Sequence, residues 1–263
     1  MALLETAGLT KDFGGLRAVA DLALRVEGGE IVGLIGPNGS GKTTVFNLIT
    51  GLYPATAGRI AFDPGGDGRR ELVGLPAHAI TALGIGRTFQ NQRLFNQMTV
   101  LENVLVGMHC RTRAGIAGIL LGTSAVRSER RQAETRGVEL LAIFGERLAP
   151  RAQRPAWPLS YANRRRLEIV RALATGPRLL LLDEPAAGMN PTETRELMRD
   201  IQRIRDRGVT ILLIEHDMGL VRGICERVVA LDHGVRIAEG RFEEVRESPA
   251  VLEAYLGRRA GRA

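Results

Sequence analysis

Gly36-Pro37-Asn38-Gly39-Ser40-Gly41-Lys42-Thr43 carries the pattern G-x-x-x-x-G-K-[ST] of a phosphate-binding loop, or P-loop. Its glycines let the backbone wrap close to phosphate oxygens. The N–H groups at the start of the following helix then point at the anion with the positive end of the helix dipole. Lys42 is suited to reach the β- and γ-phosphates of a nucleoside triphosphate as a compact mobile charge, and the Thr43 hydroxyl to ligate Mg2+. A second run, "RLLLLDEP", ends in Asp183 and Glu184. Asp183 is placed to hold Mg2+ through water, and Glu184, one residue on, to polarise an attacking water as general base. A third, "VTILLIEHDM", ends in Glu215, His216 and Asp217, with the His216 imidazole expected at the γ-phosphate and the water. Alone, each run could be an acidic turn or a structural histidine; together they point to hydrolysis at the γ-phosphate of a nucleoside triphosphate.

Something must bring these three runs to one place. Ile31 to Ile35 is a short apolar strand before the loop, and Val45, Leu48 and Ile49 mark the buried face of a helix after it. If all three runs are parallel strands, their charged ends gather along one edge of a sheet. Upstream, Leu22, Leu24 and Val26 alternate, and "AGRIAF" adds a strand, so an antiparallel β piece is expected beside the nucleotide core. The Arg/Ala-rich stretch from about 91 to 176 suits an inserted helical subdomain. It closes with "PLSYANRRRLEIVRAL", where Leu167, Val170 and Ala174 recur on one face. "GIAGILLGTSAV" within it suits either core or a membrane-proximal patch. From about 217 to 257 two short strands and one closing helix are expected.

The 263 residues suffice for one such domain, with 44% hydrophobic and 25% charged residues. No run approaches the roughly 20 apolar residues of a spanning helix, so any membrane role is expected through another chain. The formal charge of +7 suggests an anionic partner, but the basic residues are nearly all Arg, with Lys11 and Lys42 as the lysines, and lie interleaved with acids. That favours a solvated surface over a DNA-binding stripe. Cys110 and Cys225 lie in no metal-binding pattern and are expected to be unpaired packing residues.

The set of motifs resembles the nucleotide-binding subunit of ATP-binding cassette (ABC) transporters, over residues 4 to 257. The resemblance implies an α/β fold: a P-loop NTPase (RecA-like) core, an N-terminal antiparallel β subdomain and the inserted α-helical signature subdomain. It places Gln90 of "GRTFQ" at the Q-loop, as a hinge sensing Mg2+ and the membrane partner, and Phe13 where an aromatic ring stacks on adenine. Thr44 joins the phosphate contacts, and Asn190 of "AAGMNP" stands at the loop that communicates between two subunits. The signature helix serves a partner: Ser160, with Tyr161 and Ala162, would meet ATP held by a second cassette, copy or paralogue. Family signatures have Gly and Gln where this chain has Ala162 and Asn163; the methyl of Ala162 is expected to crowd the phosphate and slow that site. Arg164 and Arg165 are expected on a solvated shoulder, Arg164 pairing with Glu168 one turn on.

"GIGRTFQNQRLFNQMTVLENVLVG", "EPAAGMNP" and "EAYLG" resemble the branched-chain (hydrophobic) amino-acid uptake ATPases. The implied partners are transmembrane permease subunits, contacted through "FNQMTVLENVLVG", and indirectly a periplasmic or extracellular substrate-binding protein. The implied place is the cytoplasmic face of the inner or plasma membrane, with ATP and Mg2+ as cofactors and no nucleic acid. Urea or amide importers and a lipopolysaccharide exporter remain alternatives. So does a soluble ribosome- or DNA-associated cassette, although no second cassette or long coiled-coil insertion is present.

Overall fold

Strings of Leu, Ile and Val with no alternation signal strands buried on both faces, and the computed structural model builds its centre from them. It describes residues 2–65, 68–89, 94–112 and 123–256. In chain order, β1 (Ala2–Phe13) and β2 (Leu16–Glu27) lead to β3 (Ile31–Ile35) and α1 (Lys42–Ile49). Then come β4 (Ala57–Phe62), β5 (Arg70–Glu71), α2 (Ala77–Leu83) and β6 (Ile85–Arg87). Helices α3 (Val100–Met108), α4 (Ser124–Ala142) and α5 (Tyr161–Leu173) precede β7 (Leu179–Asp183), α6 (Pro191–Asp206) and β8 (Thr210–Ile214). The chain continues through α7 (Met218–Ile224), β9 (Arg227–Asp232), β10 (Val235–Gly240), α8 (Phe242–Glu247) and α9 (Pro249–Leu256).

Two sheets result. β2-β1-β4-β5 are antiparallel, as the alternation upstream of the P-loop predicts. The larger sheet runs β10-β9-β3-β8-β7-β6, parallel throughout except for β10. Successive side chains of its strands enter different cores. Ile31, Leu180, Leu182, Ile211 and Leu213 face one cluster, with Val104, Leu167, Val170, Leu197, Ile201 and Val221 from α3, α5, α6 and α7. Val32, Leu34, Leu179, Leu181, Leu212 and Ile214 face the other, with Val45, Phe46 and Ile49 of α1 and with Leu4, Leu22, Leu24 and Ile60 of the antiparallel sheet. The larger sheet is thus the wall between a helical layer and a β layer. Three neighbouring strands, β3, β8 and β7, end at the same edge.

The structure departs from expectation in two places. The closing helix is two: Ser248 takes an extended conformation (φ −61°, ψ 125°) between α8 and α9, as a residue before proline tends to. The arginine run is not a solvated shoulder. Arg165 and Arg166 are buried, and Glu168 pairs with Arg165 Nη1 at 3.2 Å rather than with Arg164. Arg166 reaches Asp200 at 3.4 Å and Glu196 at 3.2 Å, both on α6. Arg164 donates to Asn96 Oδ1 at 2.7 Å. The acids that hold Arg166 come from α6. Residues 115–122 of "GIAGILLGTSAV" lie outside the described residues, and Gln90 lies outside them too.

Candidate active site

β3 delivers the P-loop, and two of its glycines are there for space. A Cβ on Gly36 (φ +148°) would stand 2.2 Å from the Leu231 carbonyl oxygen, and one on Gly41 (φ +101°) 2.5 Å from that of Ala18. No side chain fits at either position, so the loop keeps bare backbone turned toward a ligand. Lys42 opens α1 and folds back over the loop, donating to the carbonyls of Gly36 (2.9 Å) and Pro37 (2.8 Å) and to Ser40 Oγ (3.4 Å). Burial pushes its ammonium below the usual lysine range, opposed by the negative charges of Glu184 and Asp183. Thr43 and Thr44 follow in the first turn of α1, partly exposed, with Asn38 and Gly39 exposed ahead of them.

β7 ends in Asp183, whose carboxylate meets Arg87 Nη2 at 3.1 Å, with side chains 1% and 6% exposed. Burial raises the Asp183 pKa above the usual carboxylate range, and Arg87 only partly offsets this. Its other oxygen, Oδ1, is buried without a hydrogen-bond partner. Such an atom suits a metal-bound water in the working complex. Glu184 comes next, with its backbone at φ +49° and its N–H on the carbonyl of Ile214 at 2.9 Å. From the end of β8, His216 sets Nε2 3.2 Å from Glu184 Oε1. The structure therefore brings Lys42, Asp183, Glu184 and His216 to one edge, from the ends of three strands, β3, β7 and β8.

The residues assigned to a partner's ATP stand at the start of α5. Ser160 caps α5, its Oγ accepting from Asn163 N at 3.4 Å, and is exposed, as is Tyr161. Ala162 is buried at 3%. Asn163 turns its carbonyl to Arg166 Nη1 at 3.2 Å. Phe13 is 41% exposed, edge-on to Tyr53 with centroids 5.3 Å apart. Asn190 caps α6 through the N–H groups of Thr192 and Glu193, both at 3.0 Å.

The sequence model of the ABC transporter family matches residues 19–187. The chain is 47% identical, over 97% of its length and 98% of the relative's, to the high-affinity branched-chain amino acid transport ATP-binding protein LivG of Salmonella typhimurium. This chain belongs to the ABC transporter family. It is an ATP-hydrolysing cassette. It is likewise 46% identical over 97% of its length (98% of the relative) to the corresponding protein BraF of Pseudomonas aeruginosa. Identity is 35%, over 98% of both chains, to the lipopolysaccharide export system ATP-binding protein LptB of Escherichia coli K12. A model of branched-chain amino acid ATP-binding cassette transporters matches residues 235–261. A nucleotide-free ATP-binding cassette from an ABC transporter superposes with TM-score 0.83 at 31% identity, covering 98% of this chain and 100% of that one. A dimeric cassette bound to ADP and Pi gives TM-score 0.74 at 26% identity, over 91% and 98%.

Two residues of the cassette's site escape the motifs. Arg87 ends β6 beside Asp183; a charge inside the otherwise apolar "GIGRTF" was its one signal in the sequence. Glu215 is buried and accepts from the N–H groups of Ala186 (2.7 Å), His216 (3.0 Å) and Asp217 (3.4 Å). It ties the loop after β7 to the loop after β8. Burial raises its pKa, opposed by those backbone donors.

Proposed function

We propose that this cassette drives import of branched-chain amino acids by hydrolysing ATP between two subunits. The observation that carries the chemistry is the 3.2 Å contact of His216 Nε2 with Glu184 Oε1 at the edge that also holds the P-loop and Asp183. Full-length similarity to LivG and BraF, with the matched segment at 235–261, supports the substrate class.

In this reading Gly36 to Thr44 wrap the triphosphate, and Lys42 leaves its loop carbonyls for the β- and γ-phosphate oxygens. Glu184 polarises the attacking water, and His216 keeps that carboxylate in place and touches the γ-phosphate. Phe13 stacks on adenine. Thr43 and Asp183, the latter through water, would hold Mg2+, with Gln90 as a further contact. Mg2+ supplies charge neutralisation on the phosphates when bound. The described residues contain no cluster of three acidic, His or Cys ligands, which suits a cation held chiefly by substrate phosphates and one or two side chains. Ser160 and Tyr161 would complete the partner cassette's site.

Among the described residues no helix is long and apolar enough to cross a membrane. Permease subunits would therefore hold the cassette at the cytoplasmic face. The helical subdomain, about residues 91–176, would carry the contact, through the exposed Phe95, Met98 and Val106 around α3. The test is reconstitution with cognate permeases and binding protein in proteoliposomes. ATP-dependent leucine uptake is expected, and Glu184→Gln should lower hydrolysis and uptake together by at least about 100-fold. Normal turnover in that variant would sink the base assignment.

A further inference from the structure

We propose that Arg87 is a positioning residue for ATP hydrolysis: it grips one oxygen of the Asp183 carboxylate so that the other stays turned toward the metal side of the triphosphate. The inference rests on reading Asp183 as the metal-side carboxylate.

The geometry divides the guanidinium fork between two tasks. Nη2 holds Asp183 Oδ2 at 3.1 Å. Nη1 donates to Asn47 Oδ1 at 2.7 Å and to Thr50 Oγ1 at 3.1 Å, both near the end of α1. The Cζ atom lies 5.5 Å from the centre of the Phe46 ring and 5.2 Å from that of Phe89. Its charge is thus fixed in direction before any nucleotide arrives. That suits a rigid planar fork better than a flexible ammonium.

Asp183 needs such a hold. The terminal torsion of an aspartate is soft and roughly two-fold, so a carboxylate anchored at neither oxygen would rotate. Here Oδ2 is anchored and Oδ1 is buried with no partner. One arginine therefore keeps the carboxylate aimed. Through Asn47 and Thr50 it also fixes the distance from β7 to the helix that follows the P-loop.

A purely architectural role, pinning α1 to the sheet, would look different in solution. The measurement is equilibrium binding of a fluorescent ATP analogue to the purified chain, in EDTA and across a Mg2+ series, with thermal melting as the control for folding. Arg87→Met should raise the Mg2+ concentration for half-maximal enhancement of binding by roughly 10-fold or more, while binding in EDTA stays at the parental level. Arg87→Lys, which keeps the charge and loses the fork, should fall between the two. An unchanged Mg2+ requirement in a folded Arg87→Met chain overturns the proposal, as does a parallel loss of binding with and without Mg2+. If Arg87→Met does not fold, Arg87→Lys decides, and a parental Mg2+ requirement there is the negative result. Asp183→Asn separates the two levels. If it leaves the Mg2+ requirement unchanged, the metal-side reading of Asp183 fails and this proposal with it. If it shifts the requirement and Arg87→Met does not, only the role of Arg87 is lost.

Discussion

Lys42, Asp183, Glu184 and His216 were readable in the sequence because each sits at a fixed offset from an apolar run that could only be a strand or a helix start. Arg87 and Glu215 were not, because their partners lie far away along the chain: Arg87 reaches across to Asn47 and Asp183, and Glu215 back to Ala186. The signature arginines misled for the same reason. Ion-pair rules within one helix see Arg164 and Glu168, while Asp200 and Glu196 on another helix decide where Arg166 goes. The cysteines give a residue-level prediction. Burial, with Glu215 and Glu226 nearby, pushes the Cys225 thiol up to about 12, so it stays protonated and unreactive well above neutrality. Cys110 is exposed. At pH 8 a disulfide reagent should titrate one fast thiol, abolished by Cys110→Ala, and both thiols after denaturation. A fast second thiol in the native protein would contradict the half-buried placement and raised pKa of Cys225.

Among the elements, the strands of the larger sheet were the easiest to foresee. "LLLL" before Asp183 and "ILLI" after Thr210 are apolar at every position because both faces are covered, and no amphipathic helix tolerates that pattern on a surface. Harder to see was what α5 rests on. Its apolar face was expected and found, yet its second turn is also fastened by buried charge, Arg166 to Asp200 of α6. Removing one partner of a buried pair leaves the other desolvated and uncompensated. Arg166→Met should therefore destabilise the chain by about 3 kcal/mol, measured as a shift in urea midpoint with little change in slope. An effect under about 0.5 kcal/mol would mean that Arg203, 3.2 Å from the other Asp200 oxygen, satisfies the acid unaided. The closing segment shows the limit of pattern reading: its apolar periodicity runs through Ser248-Pro249, and only the backbone restriction before proline divides it.

For the molecule as a whole, the P-loop and the signature face are separate surfaces of one chain, and the proposed chemistry needs both. Glu184→Gln, able to bind but not to cleave, should accumulate as a dimer in Mg·ATP on size-exclusion chromatography and return to monomer in EDTA. Adding Ser160→Ala should weaken that dimer, and Lys42→Ala should prevent it by removing nucleotide binding. A Glu184→Gln chain that stays monomeric at saturating Mg·ATP, with permeases present or absent, would rule out catalysis between subunits. The α/β fold of the chain followed from its motifs. Which surface faces the permeases did not, because exposed apolar residues such as Phe95 and Val106 resemble any other surface until a partner is seen.

The torsion at Glu184 has one more consequence. A side-chain-bearing residue held at φ +49° sits in backbone territory where L-amino acids lose about 1–2 kcal/mol and glycine loses almost nothing. Replacing it by glycine should therefore toughen the fold by about 1 kcal/mol, read as a higher melting temperature, while extinguishing turnover. Heat tolerance and catalysis pull in opposite directions on a single peptide unit, and any enrichment scheme that rewards thermal survival alone would discard the enzyme's own base first.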